Sequence, residues 1–173
     1  LARINKLVYR IVKPTLVTAT PEDSEFRFQL YASTRTEEVS IFGWDERQQA
    51  AFMRMQFLAR EQSYASAYPR KAVSLILCED LPVGAMMVDR GEHEITLIDI
   101  ALLPEFRSRG IGTSLIQDLI NEAHTTNKPL QLQVAKGNRA AALYSRLGFA
   151  RTSESEMYEQ MKISANTRRA IPA

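Results

Sequence analysis

The chain has 173 residues, 45% of them apolar, enough for one domain that buries roughly 70% of the surface its unfolded form exposes. Lys and Arg total 22 against 20 Asp and Glu, and a net charge of +2 excludes a general polyanion binder and argues against a nucleic-acid partner. A lone cysteine, Cys78, excludes an internal disulfide, and no apolar run approaches the roughly 20 residues of a transmembrane helix, so the expectation is a reduced, cytoplasmic setting without a membrane partner.

In chain order, the start LARINKLVYRIV has neither a long apolar leader core nor an A-x-A cleavage pattern, and Leu7 to Val12 predicts a short strand. Thr20-Pro21-Glu22-Asp23 supplies an N-cap, a proline and an acidic first turn, which predicts a helix running to about Val39. After a break at Phe42-Gly43-Trp44, Asp45 and Gln48 form a capping box. A second helix then ends before Pro69, with Phe52, Met55, Leu58 and Ala59 as its apolar stripe. Two apolar runs, Ala72 to Cys78 and Val83 to Val88, flank Glu79-Asp80-Leu81-Pro82 and predict a hairpin. Asp89-Arg90-Gly91-Glu92 turns the chain into a third run, Ile95 to Leu103.

A helix from about Gly110 to Thr126 carries Ile111, Leu115, Leu119 and Ile120 on one face. Leu130 to Ala135 alternates as a strand. Asn138 caps a short helix from Arg139 to Leu147 that stops at Gly148. Strands around Phe149 to Arg151 and Met157 to Lys162 follow. The order is βααβββαβαββ: an α/β arrangement with a mixed, mainly antiparallel central sheet flanked by helices, in one domain over 1–163 with a polar tail over 164–173.

The stretch PEFRSRGIGTSL, residues 104–115, places two arginines and two glycines at a helix N-terminus. There the first N–H groups lack internal partners and the helix dipole favours an anion. Gly110 and Gly112 let successive N–H groups converge on phosphate oxygens. A P-loop needs Gly-Lys-Ser/Thr and a dinucleotide fold needs G-x-G-x-x-G; Gly110-Ile111-Gly112-Thr113-Ser114 fits neither.

The segment resembles the acyl-CoA loop of the GCN5-related N-acetyltransferase (GNAT) superfamily, Arg/Gln-x-x-Gly-x-Gly/Ala between a strand and a helix, with Arg107, Gly110 and Gly112 matching. IDIALLPEFRSRGIG resembles that superfamily's strand, proline and loop. Asn138 followed by ALYSRLGF resembles its second signature, although Tyr144 stands six residues after Asn138 where many members have seven. The likeness covers about Glu94 to Phe149.

The resemblance implies an acetyl-CoA-dependent N-acetyltransferase whose strand through Ile100 to Leu103 splays from the one carrying Leu130 to Ala135. The pantetheine arm would lie in the gap, pairing with backbone near Leu102 and Leu103. The pyrophosphate would meet N–H groups of Ser108, Arg109, Gly110, Ile111, Gly112 and Thr113, with Arg107 and Arg109 beside it and Asn138 near the cofactor. The acetyl group passes directly to a primary amine of a small molecule or peptide in a ternary complex, so Cys78 is not needed and neither is a metal. Tyr144 would donate to the leaving thiolate.

Asp99, which interrupts an apolar strand, is the leading proton acceptor; its other reading is a structural carboxylate bonded to an N–H or an Arg. Thr96 and Gln133 stand where relatives carry acids, and neither can act as a base, so water-mediated proton removal stays open; Glu94 is a distant third choice. Phe42 and Trp44 are expected at the acceptor pocket, or as a staple of the second helix. A non-catalytic acyl-CoA-binding regulatory module is the alternative function, and a homodimer is left open.

Overall fold

The computed structural model describes residues 13–35, 41 and 43–165. The expected strand Leu7 to Val12, Phe42 and most of the expected tail lie outside the described residues. The described elements are β1 (Thr15–Thr18), α1 (Ser24–Ser33), α2 (Glu46–Ala67), β2 (Lys71–Cys78), β3 (Leu81–Arg90), β4 (Ile95–Leu102), α3 (Ile111–Thr125), β5 (Leu130–Ala135), α4 (Ala140–Arg146), β6 (Ala150–Glu154) and β7 (Tyr158–Ile163). They form a seven-stranded sheet in the order β1-β2-β3-β4-β5-β7-β6. Every pairing is antiparallel except β4 with β5, the two strands that α3 connects.

One strand was not expected, and two expectations need correction. A strand forms at Thr15–Thr18, pairing with β2; four residues behind Pro14 gave too short an alternation to read. The helix α1 stops at Ser33 instead of running to Val39. The Ser33 and Thr34 hydroxyls donate to the carbonyls of Leu30 and Tyr31, both at 2.7 Å, and so compete with the backbone for the last turn. The hairpin turn is only Glu79-Asp80, with φ of 49° and 65°, the two left-handed residues of a type I′ turn; Leu81 and Pro82 belong to β3.

The sheet buries two faces. On one, Ile111, Leu115, Ile116, Leu119 and Ile120 of α3 pack against Met86, Val88, Ile95, Leu97, Leu130 and Leu132; truncating such a buried Leu or Ile to Ala typically costs about 2–5 kcal/mol. On the other face, α1 and α2 bring Leu30, Tyr31 and Phe57 over the sheet residues Leu75, Ala85 and Met87.

The inward face of α2 is a further correction. Met55 and Leu58 are both 57% exposed, and Phe57, at 1%, is the buried residue. The inward row runs through Phe57, Arg60, Glu61 and Tyr64 at helical spacing. Its charged members are neutralised by ion pairs, which is why apolar periodicity pointed elsewhere.

Candidate active site

β4 and β5 are paired only through Ile95, Leu97 and the residue between them, opposite Leu130 to Leu132. Beyond that point β5 continues along β7 while β4 stays on β3, so the two strands part. The N–H of Leu103 donates to the Val83 carbonyl at 2.9 Å. Because backbone groups alternate in direction along an antiparallel strand, those of Ile100 and Leu102 then face the split. Leu103 itself is turned the other way, and its carbonyl accepts from Phe106. Of the two leucines expected to pair with a bound chain, Leu102 is the one directed at the gap.

At the mouth of the split the loop after β4 adopts left-handed backbone at Ser108 (φ 58°) and Gly110 (φ 82°). The first helical bond of α3 runs from Ser114 to the Gly110 carbonyl, and Gly110 offers no capping side chain. The N–H groups of Ile111, Gly112 and Thr113 are therefore unspent within the helix. Space at Gly110 and Gly112 is open, with nothing within 4 Å of an added Cβ. Arg107 does not simply point outward: its Nε donates to the Leu102 carbonyl at 2.9 Å, tying the loop to the strand end. Arg109 lies over the Phe106 ring at 5.3 Å.

Asp99 reaches its place through a bulge. Met87 opposes Asp99 and Val88 opposes Leu97, which leaves Ile98 unpaired and puts Asp99 on the face opposite Leu97. The simple pleat would have kept those two together. The carboxylate thus meets α2, where Arg60 Nη1 donates to Oδ2 at 3.3 Å, with side-chain exposures of 23% and 29%. Burial pushes Asp99 above the ordinary carboxylate range; Arg60 opposes this, Glu61 adds to it, and Arg35 and the Ile100 N–H oppose it again.

Tyr144 is fixed by the end of α4. Phe149 N–H donates to the Tyr144 carbonyl and Gly148 N–H to that of Ser145, at 3.0 and 3.1 Å, with Gly148 at φ 98°. This is a Schellman closure, completed by a T-shaped contact between the Tyr144 and Phe149 rings at 5.7 Å. Asn138 caps the other end, its Oδ1 accepting from Ala140 N–H at 2.9 Å. Tyr144 is 7% exposed. Burial, then the charge of Asp99, pushes its phenol up to about 12, so it holds its proton at neutral pH.

That shift has a measurable consequence. The unfolded tyrosine ionises near 10 and the folded one near 12, so stability present below pH 10 drains as the pH rises from 10 to 12, by on the order of 2 kcal/mol. Urea midpoints at pH 9 and 11 should diverge less for Tyr144→Phe than for the parent protein.

The remaining expected residues fall outside this arrangement. Trp44 meets Phe52 edge-on at 5.1 Å and its carbonyl accepts from Gln49 Nε2. Glu46, where α2 begins, is fourteen residues from Arg60, about 21 Å along the helix axis, so Trp44, just before that start, stands by the opposite end of α2. Thr96 is buried and its hydroxyl accepts from Gln131. Glu94 is tied to Gln131 and Lys162. Burial pushes the Cys78 thiol up, away from the thiolate a nucleophile needs.

Sequence reasoning missed Arg60, Tyr64 and the pair Arg27–Glu61 behind them. The signal was two charges at the spacing of Phe57 and Tyr64 on α2. Arg60 Nε and Glu61 Oε1 are buried without a hydrogen-bond partner among the described residues. Such a group costs about 1–3 kcal/mol. No cluster of metal-ligating side chains, and no helix long and apolar enough to cross a membrane, occurs among the described residues.

Residues 70–151 match the family described as an acetyltransferase (GNAT) domain. Among curated proteins, the chain is 47% identical over 58 residues to the [ribosomal protein bS18]-alanine N-acetyltransferase of Salmonella typhimurium, covering 32% of this chain and 39% of the relative. It is 32% identical over 92 residues to the protein of that name from Escherichia coli K12, covering 51% and 62%. The chain thus spans less than two thirds of the curated relatives it matches.

Among solved structures, the PaiA N-acetyltransferase of Thermoplasma acidophilum in complex with coenzyme A superposes with a TM-score of 0.65 at 15% identity, over 87% of this chain and 98% of that one. The Escherichia coli ribosomal-protein-S18-alanine N-acetyltransferase gives 0.61 at 18%, over 92% and 99%. At these identities the structural likeness is one of fold.

Proposed function

We propose that this chain, whose residues 70–151 match a GNAT acetyltransferase domain, transfers the acetyl group of acetyl-CoA to a primary amine by direct attack in a ternary complex, and that the acceptor is the α-amine of a peptide N-terminus. The observation that carries the reading is the split between β4 and β5, with a glycine-opened helix start after β4, Asp99 on β4 past the last pair and Tyr144 close enough to feel its charge.

The residues present fit acetyl-CoA. Backbone groups of Ile100 and Leu102 face a gap with no strand paired beyond Leu97. The unspent N–H groups of Ile111, Gly112 and Thr113 lie beside open space suited to a pyrophosphate. Acetyl-CoA supplies the activated thioester when bound. Arg107 holds the loop against Leu102, and Arg109 adds positive charge. Asp99 accepts the proton of the amine, and Tyr144 keeps its own proton for the departing thiolate. Cys78 takes no part.

An α-amine suits this equipment. Its pKa of about 7.7–8.0 leaves roughly a tenth neutral at pH 7, whereas a lysine amine near 10.4 is neutral about once in 2,500 molecules. The curated relatives are named for an alanine of a ribosomal protein, which supports a protein terminus over a small molecule.

The test is an amine panel read by free-thiol release. Peptides with free N-termini should exceed N-blocked, lysine-containing peptides, polyamines and aminoglycosides by at least tenfold in kcat/KM. A polyamine or aminoglycoside at the top would overturn the acceptor assignment. Tight acetyl-CoA binding with no turnover on any amine would leave the non-catalytic module.

A further inference from the structure

The cluster behind Asp99 has no counterpart in the acetyl-transfer chemistry described so far. Arg60 lies at 4.6 Å over the Tyr31 ring of α1 and 5.6 Å over the Tyr64 ring of its own helix. Its Nη1 is the donor on Asp99 Oδ2. Glu61, the next residue, is held by Arg27 of α1 and stands 4.0 Å from Arg60 Nη2. The charges alternate Arg27, Glu61, Arg60, Asp99, and they join α1 and α2 to β4 where it leaves β5.

We propose that Arg60 is a positioning residue for acetyl transfer, holding the Asp99 carboxylate ionised and aimed at the β4–β5 split, where that carboxylate takes the proton of the attacking amine. The inference rests on the acetyltransferase reading. In the step, the amine nitrogen bonds to the thioester carbon, the C–S bond breaks, the amine's proton passes to Asp99, and Tyr144 gives its proton to the thiolate sulfur.

The geometry argues for holding over mere adhesion. A guanidinium bracketed by two aromatic rings keeps its plane with few hydrogen bonds. Arg60 spends one donor on Asp99, while its Nε is buried without a partner among the described residues. Other groups face Asp99 as well: Glu61 and Tyr64 on α2, Arg35 just beyond α1, Tyr144 on α4 and the Ile100 N–H. Glu61 is engaged by Arg27, and Arg60 is in direct contact with the carboxylate.

The test uses the full chain with 13C-labelled aspartate, comparing the parent protein, Arg60→Met and Arg60→Lys, with Asp99→Asn to assign the Asp99 carboxyl signal. Loss of an adjacent cation should raise the Asp99 titration midpoint by about 1 pH unit or more in Arg60→Met, and Arg60→Lys should return most of that shift. The acidic limb of kcat at saturating peptide, which the free amine's own ionisation does not enter, should move in the same direction. An Asp99 midpoint unchanged in Arg60→Met overturns the assignment; if that variant does not fold, Arg60→Gln, which also lacks the charge, takes its place and is judged by the same outcome. A shifted midpoint with an unmoved limb overturns the catalytic part. A parent protein that turns over no amine overturns the acetyl-transfer reading instead, and the NMR titration still decides whether Arg60 governs Asp99.

Discussion

Gly112→Trp should abolish the rise in Tm that acetyl-CoA gives the parent protein. At a ligand concentration 100 times Kd, binding contributes about 2.7 kcal/mol. In a chain of this size that raises Tm by about 5–10 °C. The indole would fill the space before the first unspent N–H groups of α3, and the shift should drop to about 1 °C or less. Position 112 is the cleaner choice because nothing lies within 4 Å of an added Cβ and its φ is not positive, whereas Gly110 at φ 82° would bring backbone strain with any side chain. Thermal melts with and without acetyl-CoA decide it. An intact shift in the variant would move the cofactor away from this loop.

Tyr144→Phe should lower kcat by about 100-fold or more, the scale of a lost general acid, while the acetyl-CoA-dependent Tm shift stays as in the parent. The substitution keeps the ring contact with Phe149 and the closure of α4, because both use the ring and backbone and not the hydroxyl. Steady-state rates at saturating peptide separate the two effects. A kcat within twofold of the parent value would remove Tyr144 from proton transfer.

Much of the molecule could be read from its sequence. The glycine loop, the capping box at Asp45, the cap at Asn138 and the α3 stripe each write local geometry into a few adjacent residues. Tyr144 was also legible despite its unusual distance from Asn138. The helix is anchored at its C-terminal end by Gly148 and Phe149, next to Tyr144 itself.

What escaped depends on tertiary contact. The bulge at Ile98 answers to the partner strand and left no mark in the alternation of ITLIDIAL. Nothing in the residues around Arg60 marks its pairing with Asp99, 39 positions away. The inward face of α2 was misread for that reason. No one-chain periodicity separates a buried ion pair from an exposed one.

The short ladder between β4 and β5 also bears on how the fold comes apart. Three residue pairs join a unit built from β1 to β4, with α1 and α2, to a unit built from β5 to β7. The rest of that junction is side-chain packing beneath α3, with polar links from Gln131 to Glu94 and Thr96 and from Lys162 to Glu94. Local openings follow the thinnest backbone connection, so this line is the seam along which amide protons on either side would exchange in separate groups. A ligand lying along the split would bridge both groups and join them into one cooperative unit.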